Sequence, residues 1–274
     1  MDTLVSGDGK TTFFATSESG KDVVTGFVVG ADDTSDVLNV SSISKVSRTS
    51  STSFTLNVDN SNSLKVTQKS GDVNSNIQWV SGNANGVAKI GITGSNNNFS
   101  YDTVTTNYIG SNKVDTVSLT SGTTDNFNVW LDQTGGMFSS IEVYDLKNTS
   151  GDVLMAGKAD TKETIIGGKS NASLWGGAGN TADVLKSTSG STTDFFYGLG
   201  DGNDSISGSA NDTVNLYNIN LSDITKADIN SSSVVFTTTA NNTVSVSGSV
   251  GTFKLADGTA WTANYSSKTW SAAE

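Results

Sequence analysis

Short runs in which apolar and polar residues alternate recur along the whole chain. Four clear examples are residues 54–58, 127–131, 213–217 and 243–247. A period of two places alternate side chains on opposite faces of a strand, so that one face is buried and the other contacts solvent. The pattern therefore predicts many short strands, each contributing a single face to a core.

Turn-forming dipeptides separate these runs, and helix-forming patterns are scarce. The dipeptides are Asp8-Gly9, Asn85-Gly86, Gly151-Asp152, Asp201-Gly202 and Asp257-Gly258. The best helical pattern, residues 221–228, would give two turns at most. We predict an all-β fold whose short strands form a stack like a β-solenoid, a β-roll or a β-sandwich, with little or no helix.

A short repeat accompanies the strands. It consists of Asp, then Ser, Thr or Val, then a branched aliphatic residue, and it occurs more often than the composition alone would produce. Its nine copies begin at Asp2, Asp22, Asp36, Asp102, Asp115, Asp152, Asp183, Asp204 and Asp212. We therefore expect related β units with unlike insertions, forming one β region over residues 1–150 and a second over 151–274, or else a single elongated domain.

Asp at the start of a strand has two chemical interpretations. Its carboxylate can accept hydrogen bonds from nearby backbone N–H groups in an Asx-turn before the next residue enters the core. Alternatively, it can bind Ca²⁺, which takes six to eight oxygen ligands from carboxylates and turn carbonyls. The excess of Asp over Glu, 23 against 4, suits a ligand that must reach an ion held in a tight turn.

Composition excludes several kinds of site and partner. The chain contains no Cys and no His, so disulfides, thiolate metal sites and imidazole-dependent triads are excluded. A net charge of -11 argues against nucleic acid as a partner. No apolar run approaches ~18 residues, so we expect no membrane insertion. With a single Arg, Arg48, and no His, we predict that the protein is not an enzyme.

Three glycine-rich segments resemble a known repeat. They are Gly167-Gly168-Lys169-Ser170-Asn171-Ala172-Ser173-Leu174-Trp175, then Gly176-Gly177-Ala178-Gly179-Asn180, then Gly198-Leu199-Gly200-Asp201-Gly202-Asn203-Asp204-Ser205-Ile206-Ser207. They are similar to the haemolysin-type calcium-binding (RTX) nonapeptide G-G-x-G-x-D-x-U-x, most clearly over residues 165–217. The resemblance implies a β-roll with calcium between its coils. It also implies a secreted or cell-surface location, reached by type I export without a cleaved signal peptide.

The match to the RTX repeat is degenerate. The ligand position holds Ala172 in the first segment and Thr181 in the second, while Gly200, Gly202 and Asp204 fit the third. Calcium is accordingly the one cofactor that we expect. The resemblance assigns its ligands to six residues, namely Gly200, Asp201, Gly202, Asn203, Asp204 and Asp212.

The leading functional hypothesis is a secreted structural protein whose copies assemble into a filament or surface lattice. Strand addition or end-to-end stacking would use unpaired strand edges, with residues 10–15 and 259–271 as candidate contacts. One alternative is a calcium-stabilised surface adhesion module that binds a glycan or a host-surface ligand. A less favoured one is a polysaccharide-active enzyme on a β-helix. The five Trp residues are interpreted as core or subunit-contact residues rather than as a sugar-stacking platform.

Overall fold

The computed structural model describes residues 1–82, 84–119, 124, 126–134 and 137–273. Within this part of the chain the fold is all-β, as predicted, with two three-residue 3-10 helices at Leu131–Gln133 and Leu221–Asp223. None of the described helical segments is long and apolar enough to cross a membrane.

The strands are short and follow one another closely. The first fourteen are β1 Thr3–Val5, β2 Thr12–Ala15, β3 Lys21–Phe27, β4 Val37–Val40, β5 Lys45–Ser50, β6 Ser53–Asn57, β7 Ser63–Gln68, β8 Ile77–Ser81, β9 Ala84–Ile90, β10 Asn98–Ser100, β11 Asn107–Ile109, β12 Thr116–Ser118, β13 Phe127–Trp130 and β14 Phe138–Ser139. The others are β15 Val143–Asp145, β16 Val153–Ala156, β17 Thr164–Ile166, β18 Asn171–Trp175, β19 Val184–Lys186, β20 Thr192–Tyr197, β21 Ser205–Ser207, β22 Thr213–Leu216, β23 Ile224–Ile229, β24 Ser233–Thr238, β25 Thr243–Ser247, β26 Thr252–Lys254, β27 Ala260–Asn264 and β28 Thr269–Ala272.

The chain forms two compact units. The first comprises Met1–Val117 with Gly136–Ile141, and the second comprises Ser118–Gly135 with Glu142–Glu274. The boundary expected from the sequence, between residues 150 and 151, lies inside the second unit, and the corresponding domain assignment stays a prediction.

Parallel coils form most of the second unit. Strands β13, β16, β18, β20, β22 and β26 pair in parallel in one sheet, and β15, β17, β19, β21 and β25 do so in the other. From β15 to β22, successive strands alternate between the two sheets, so that each coil supplies one strand to each.

Columns of inward side chains fill the space between these sheets. In the second sheet the in-register residues are fully or almost fully buried. They are Tyr144, Ile165, Leu185, Ile206 and Val246. Burial of such columns provides the hydrophobic stabilisation. Because each strand contributes a single inward face, an apolar content of 34% is enough to fill this core.

Two antiparallel hairpins end the second unit. Strands β23 and β24 extend one sheet and β27 and β28 extend the other. Trp270 lies between Phe236 and Phe253, with ring centroids 4.9 and 5.1 Å away, and it stacks on Trp261 at 5.3 Å. The indole of Trp270 therefore covers the end of the core, as capping elements do in repeat proteins.

Two local predictions from the sequence are wrong. In residues 221–228 only Leu221–Asp223 is helical, and β23 follows because its residues pair with β24. The predicted turn at Asn85-Gly86 lies within β9 instead. A Cβ at Gly86 would collide with Trp79 of β8 and with Thr106, so this glycine permits close strand packing.

The first unit combines parallel coils with inserted hairpins. One sheet has the order β1-β3-β7-β6-β5 and the other β14-β11-β9-β8-β4-β2. Strands β1, β3 and β7 pair in parallel, whereas β5–β6, β6–β7 and β8–β9 are antiparallel. The inserted hairpins account for the irregular spacing of the repeat in this half of the chain.

Candidate functional site

Six Asp residues of the repeat share one hydrogen bond that links neighbouring coils. In each, Oδ1 accepts from a backbone N–H 18 to 25 residues earlier, at 2.7 to 2.9 Å. The pairs are Asp22 with Asp2, Asp36 with Thr11, Asp115 with Asn97, Asp183 with Glu163, Asp204 with Asp183, and Asp212 with Thr193. The repeated carboxylate therefore serves the backbone of the preceding coil, which an Asx-turn alone does not provide.

Glu163, Asp183 and Asp204 form a column across three successive coils of the second unit. The strands that follow them are in register, with Thr164 opposite Val184 and Val184 opposite Ser205. The three acids are 1%, 1% and 2% exposed. Oδ2 of Asp183 and Oδ2 of Asp204 are buried without a hydrogen-bond partner in the described part of the chain.

Burial raises the pKa of every carboxyl group in this column. Desolvation, with added repulsion from Asp183, raises the pKa of Glu163 to about 8. Desolvation also raises the pKa of Asp204 to about 8 and that of Asp183 to about 6, although a backbone N–H donated to each carboxylate lowers it. The carboxylates compete for a low-dielectric space, so the column retains protons at neutral pH.

Asp201 lies in the turn before the column and fixes two aromatic rings. Trp175 Nε1 and the backbone N–H of Gly198 each donate to Asp201 Oδ2 at 2.8 Å. The Tyr217 hydroxyl donates to the carboxylate at 3.1 Å. Desolvation raises the pKa of Asp201, and the hydrogen bond from Trp175 opposes the rise.

Asp212 and Asn203 are also occupied by backbone donors. Asp212 Oδ1 accepts from Thr193 N–H at 2.8 Å, and Oδ2 accepts from Ser209 N–H at 2.6 Å. Asn203 Oδ1 accepts from Thr243 N–H at 2.8 Å. Each side chain thus connects its own turn to another segment.

Gly200 and Gly202 have the backbone conformation that turn glycines require. Their φ angles are +90° and +92°, values that residues with a side chain rarely adopt. A Cβ at Gly202 would strike the carbonyl oxygen of Thr181, whereas nothing lies within 4 Å of the corresponding position at Gly200. The carbonyl of Gly202 accepts a hydrogen bond from the Tyr197 hydroxyl at 2.9 Å.

The predicted calcium residues therefore do not all face one point. Asp204 precedes β21 in one sheet, whereas Asp212 precedes β22 in the other. The carboxylates of Asp201 and Asp212 are saturated by protein donors, and Asp204 Oδ2 has no partner. Over the described ranges, no three acidic side chains are grouped so as to hold a metal ion. Calcium binding at these residues stays a prediction.

The one arginine is a structural residue of the first unit. The Arg48 guanidinium is buried and donates to Gln68 Oε1 at 2.7 Å and to the carbonyl of Ser50 at 3.1 Å. Desolvation lowers the pKa of Arg48, and the charge of Asp72 opposes this. Its donors are directed at core acceptors rather than at a surface cleft.

An aromatic groove that the sequence did not reveal lies on the outward side of β13, β16, β18 and β20. It has a volume of about 310 Å³, and Trp130, Trp175, Phe196 and Tyr217 are among its lining residues. Trp175 contacts Trp130 and Tyr217 edge-on, each at a centroid distance of 6.2 Å. The only sequence signal was the position of Trp175, one residue after the inward Leu174, because alternation then turns the indole outward.

Strands β1 and β2, which we call the first coil, lie at the margins of the two sheets of the first unit. The apolar side chains of Met1, Val5 and Phe14 are 89%, 71% and 62% exposed. In β2, Phe13 and Ala15 face the core and Phe14 faces outward. The candidate contact at residues 10–15 is thus a sheet margin, and that at 259–271 includes the marginal strand β28.

No family model matches the chain, and no curated protein matches it. Among solved structures, the extracellular lipase LipA from Serratia marcescens is similar at 11% sequence identity, with a TM-score of 0.25. The match covers 90% of this chain and 38% of the lipase, so the chain spans well under half of that protein. A similarity at this level supports no inference about activity.

Proposed function

We propose that this protein is an extracellular structural subunit whose copies associate into a filament or surface lattice, without a catalytic role. The first coil carries this proposal. It combines two strand edges that lack a neighbour with exposed apolar side chains, and no residue in β1 or β2 is charged. Such an edge is a template for another strand. The RTX resemblance supports the location outside the cell.

The backbone groups available at these edges follow from the hydrogen bonds already made. Ser6 N–H donates to Thr25 and the carbonyl of Asp2 accepts from Val23, so the even-numbered residues of β1 face β3. In a parallel strand the N–H and C=O of a residue point to the same side. The N–H of Val5 therefore faces the open margin.

The same reasoning applies to β2. The carbonyls of Thr11 and Ala15 accept from β4 and the segment that follows it, so the peptide groups of Thr12 and Phe14 face the open margin. Two free peptide edges are thus available to an added strand.

The second unit offers an acceptor for that strand. Its marginal strands are β23 and β28. Strand β23 carries Lys226 and Asp228, which form an ion pair at 2.6 Å, and charged residues of this kind discourage edge pairing. Strand β28, with the sequence Thr-Trp-Ser-Ala, carries no charge. We infer that β28 of one copy pairs with the first coil of the next.

Removing the outward N–H groups tests strand addition. The double variant Val5→Pro/Thr12→Pro lacks two outward donors but retains the bonds to β3 and β4. The matched control Val5→Ala/Thr12→Ala keeps both donors. Sedimentation velocity over a range of concentrations and negative-stain microscopy would measure association.

We expect the wild-type protein and the alanine control to form large assemblies and the proline variant to remain monomeric with a similar Tm. A wild-type protein that stays monomeric at every concentration would contradict the proposal. Assembly of the proline variant to the same extent would show that strand addition is not the mechanism.

A second candidate is a calcium-stabilised adhesion module that binds a glycan or a host-surface ligand. The unpartnered Oδ2 atoms of Asp183 and Asp204 favour it, because a cation would satisfy both. Calorimetric titration of the EDTA-stripped protein with Ca²⁺ tests this candidate. Heat release with a rise in Tm supports it, and their absence removes it.

A further inference from the structure

Strand addition leaves Phe14 exposed. Pairing at the margin of β2 engages backbone groups, whereas the Phe14 ring projects from the outward face of the sheet. A polymer held by strand addition alone would therefore carry this apolar side chain in water on every copy. Exposed apolar groups of this kind usually mark a contact surface.

The aromatic groove of the second unit presents carbon to solvent. The polar atoms of two of its rings, Trp175 Nε1 and the Tyr217 hydroxyl, donate to Asp201. The groove is lined by apolar residues apart from Ser173 and the indole and phenol rings, and none of its lining residues is charged. A glycan needs several hydrogen-bonding partners, so this lining suits an apolar side chain better.

The register of three strands gives the groove its shape. Trp130 is opposite Ala156, and Ala156 is opposite Trp175. A methyl group thus lies between two indoles, which leaves a notch one side chain deep. Because Asp201 anchors Trp175 and Tyr217, their rings are held in place before binding, which reduces the entropy cost of association.

We propose that this groove binds the Phe14 side chain of a second copy. The inference rests on the proposed self-association and adds a lateral contact to it. Phe14 and the groove are different surfaces of one chain, so the contact is heterologous and does not close on itself. Together with strand addition, it gives each copy contacts in two directions, and two-directional growth produces a lattice.

Electrostatics is consistent with an apolar contact between copies. The chain carries a net charge of -11, so two copies repel each other at long range. Salt screens this repulsion, with a Debye length of about 8 Å at physiological ionic strength, but it does not weaken burial of a phenyl ring. Lateral association should therefore increase with salt concentration.

Site-specific cross-linking tests the contact directly, because the chain has no cysteine of its own. Phe14→Cys protein is mixed with Ala156→Cys protein and treated with a short bis-maleimide. The matched control replaces Phe14→Cys with Val104→Cys, another exposed apolar position in the first unit. We expect a covalent dimer from the 14–156 mixture and little from the 104–156 mixture.

A second arm examines the assembly itself. Phe14→Ser removes the inserted side chain and should convert lattices into single filaments, whereas Val104→Ser should leave lattices intact. Since Phe14 is 62% exposed, its replacement should not change Tm.

The outcomes separate the two proposals. If wild-type protein assembles but the 14–156 mixture gives no more dimer than the control, or Phe14→Ser still forms lattices, the groove contact is overturned and self-association stands. If wild-type protein remains monomeric under every condition, both are overturned. Quenching of groove tryptophan fluorescence in the monomer by a soluble glycan, without lattice formation, would assign the groove to a different ligand.

Discussion

Asp204 accepts the backbone N–H of Asp183 through Oδ1 at 2.9 Å, from the equivalent position one coil later. Asp183 in turn accepts the N–H of Glu163 at 2.7 Å. Each acid thus satisfies a buried donor in the preceding coil, which backbone pairing at that turn leaves open. The arrangement makes the carboxylates structural groups whose protonation is coupled to folding.

Folding stability should increase on acidification from pH 9 to about pH 5. The folded-state pKa values of Glu163, Asp204 and Asp183 are raised to about 8, 8 and 6. The folded protein therefore binds more protons than the unfolded chain in this range, so its stability is greatest at the acidic end and is lost as pH rises through those values. Thermal unfolding followed by circular dichroism at several pH values would measure the trend.

The variant Asp204→Asn isolates one contributor to this pH dependence. An amide retains an oxygen for Asp183 N–H but has no charge to desolvate. We expect Tm at pH 9 to rise above that of the wild type and the slope of Tm against pH to become flatter. An unchanged slope would mean that the column does not control the pH dependence.

Removing the carboxylate of Asp212 should destabilise the fold strongly. Asp212→Ala leaves the N–H groups of Thr193 and Ser209 without acceptors. Leaving two donors unsatisfied costs about 2–4 kcal/mol. The control Asp257→Ala removes an exposed carboxylate that caps only Thr259 in its own turn and should have a smaller effect. Urea denaturation measures both, and equal effects would contradict the coil-linking role.

Two glycines of one turn provide a matched pair. Both have positive φ, so alanine at Gly200 should cost about 1–2 kcal/mol through backbone strain alone. Alanine at Gly202 must also displace the Thr181 carbonyl, which adds about 1–3 kcal/mol. The free energy of unfolding of each variant gives the comparison, and a smaller loss for Gly202→Ala would contradict the close approach of the two coils.

The cap over the core should be one of the more sensitive positions in the second unit. Trp270→Ala removes contacts with Phe236 and Phe253 and should cost about 3–5 kcal/mol. Trp270→Phe keeps a ring and eliminates the buried indole N–H, which has no partner in the described chain, so its cost should be much smaller. Chemical denaturation of both variants distinguishes packing from polar effects.

Local alternation was sufficient to predict many of the strands. Thr243 to Ser247 form β25 as expected, with Val244 and Val246 buried and their neighbours turned outward. The RTX-like segment also placed Gly200, Gly202 and Asp204 in a turn before a strand with buried Ile206. These features depend on neighbouring residues, which a sequence displays directly.

Features that depend on the register between coils could not be predicted. Trp130, Ala156 and Trp175 are separated by unequal stretches of chain, and only strand pairing brings them into one row. The helical prediction at residues 221–228 failed for a similar reason. Ala227 and Phe236 are opposite each other in a hairpin, and tertiary pairing of this kind overrides a weak local preference.

The linkage of each coil to the one before it has a mechanical consequence. Under tension applied along the chain, the second unit should lose its coils one after another rather than all at once, because each contacts chiefly its neighbours. The carboxylate bonds connect residues 20 and 21 positions apart, so each step should release about 65–70 Å of extended polypeptide. A surface layer made of such subunits would yield under load by lengthening and would not fracture at the first broken contact.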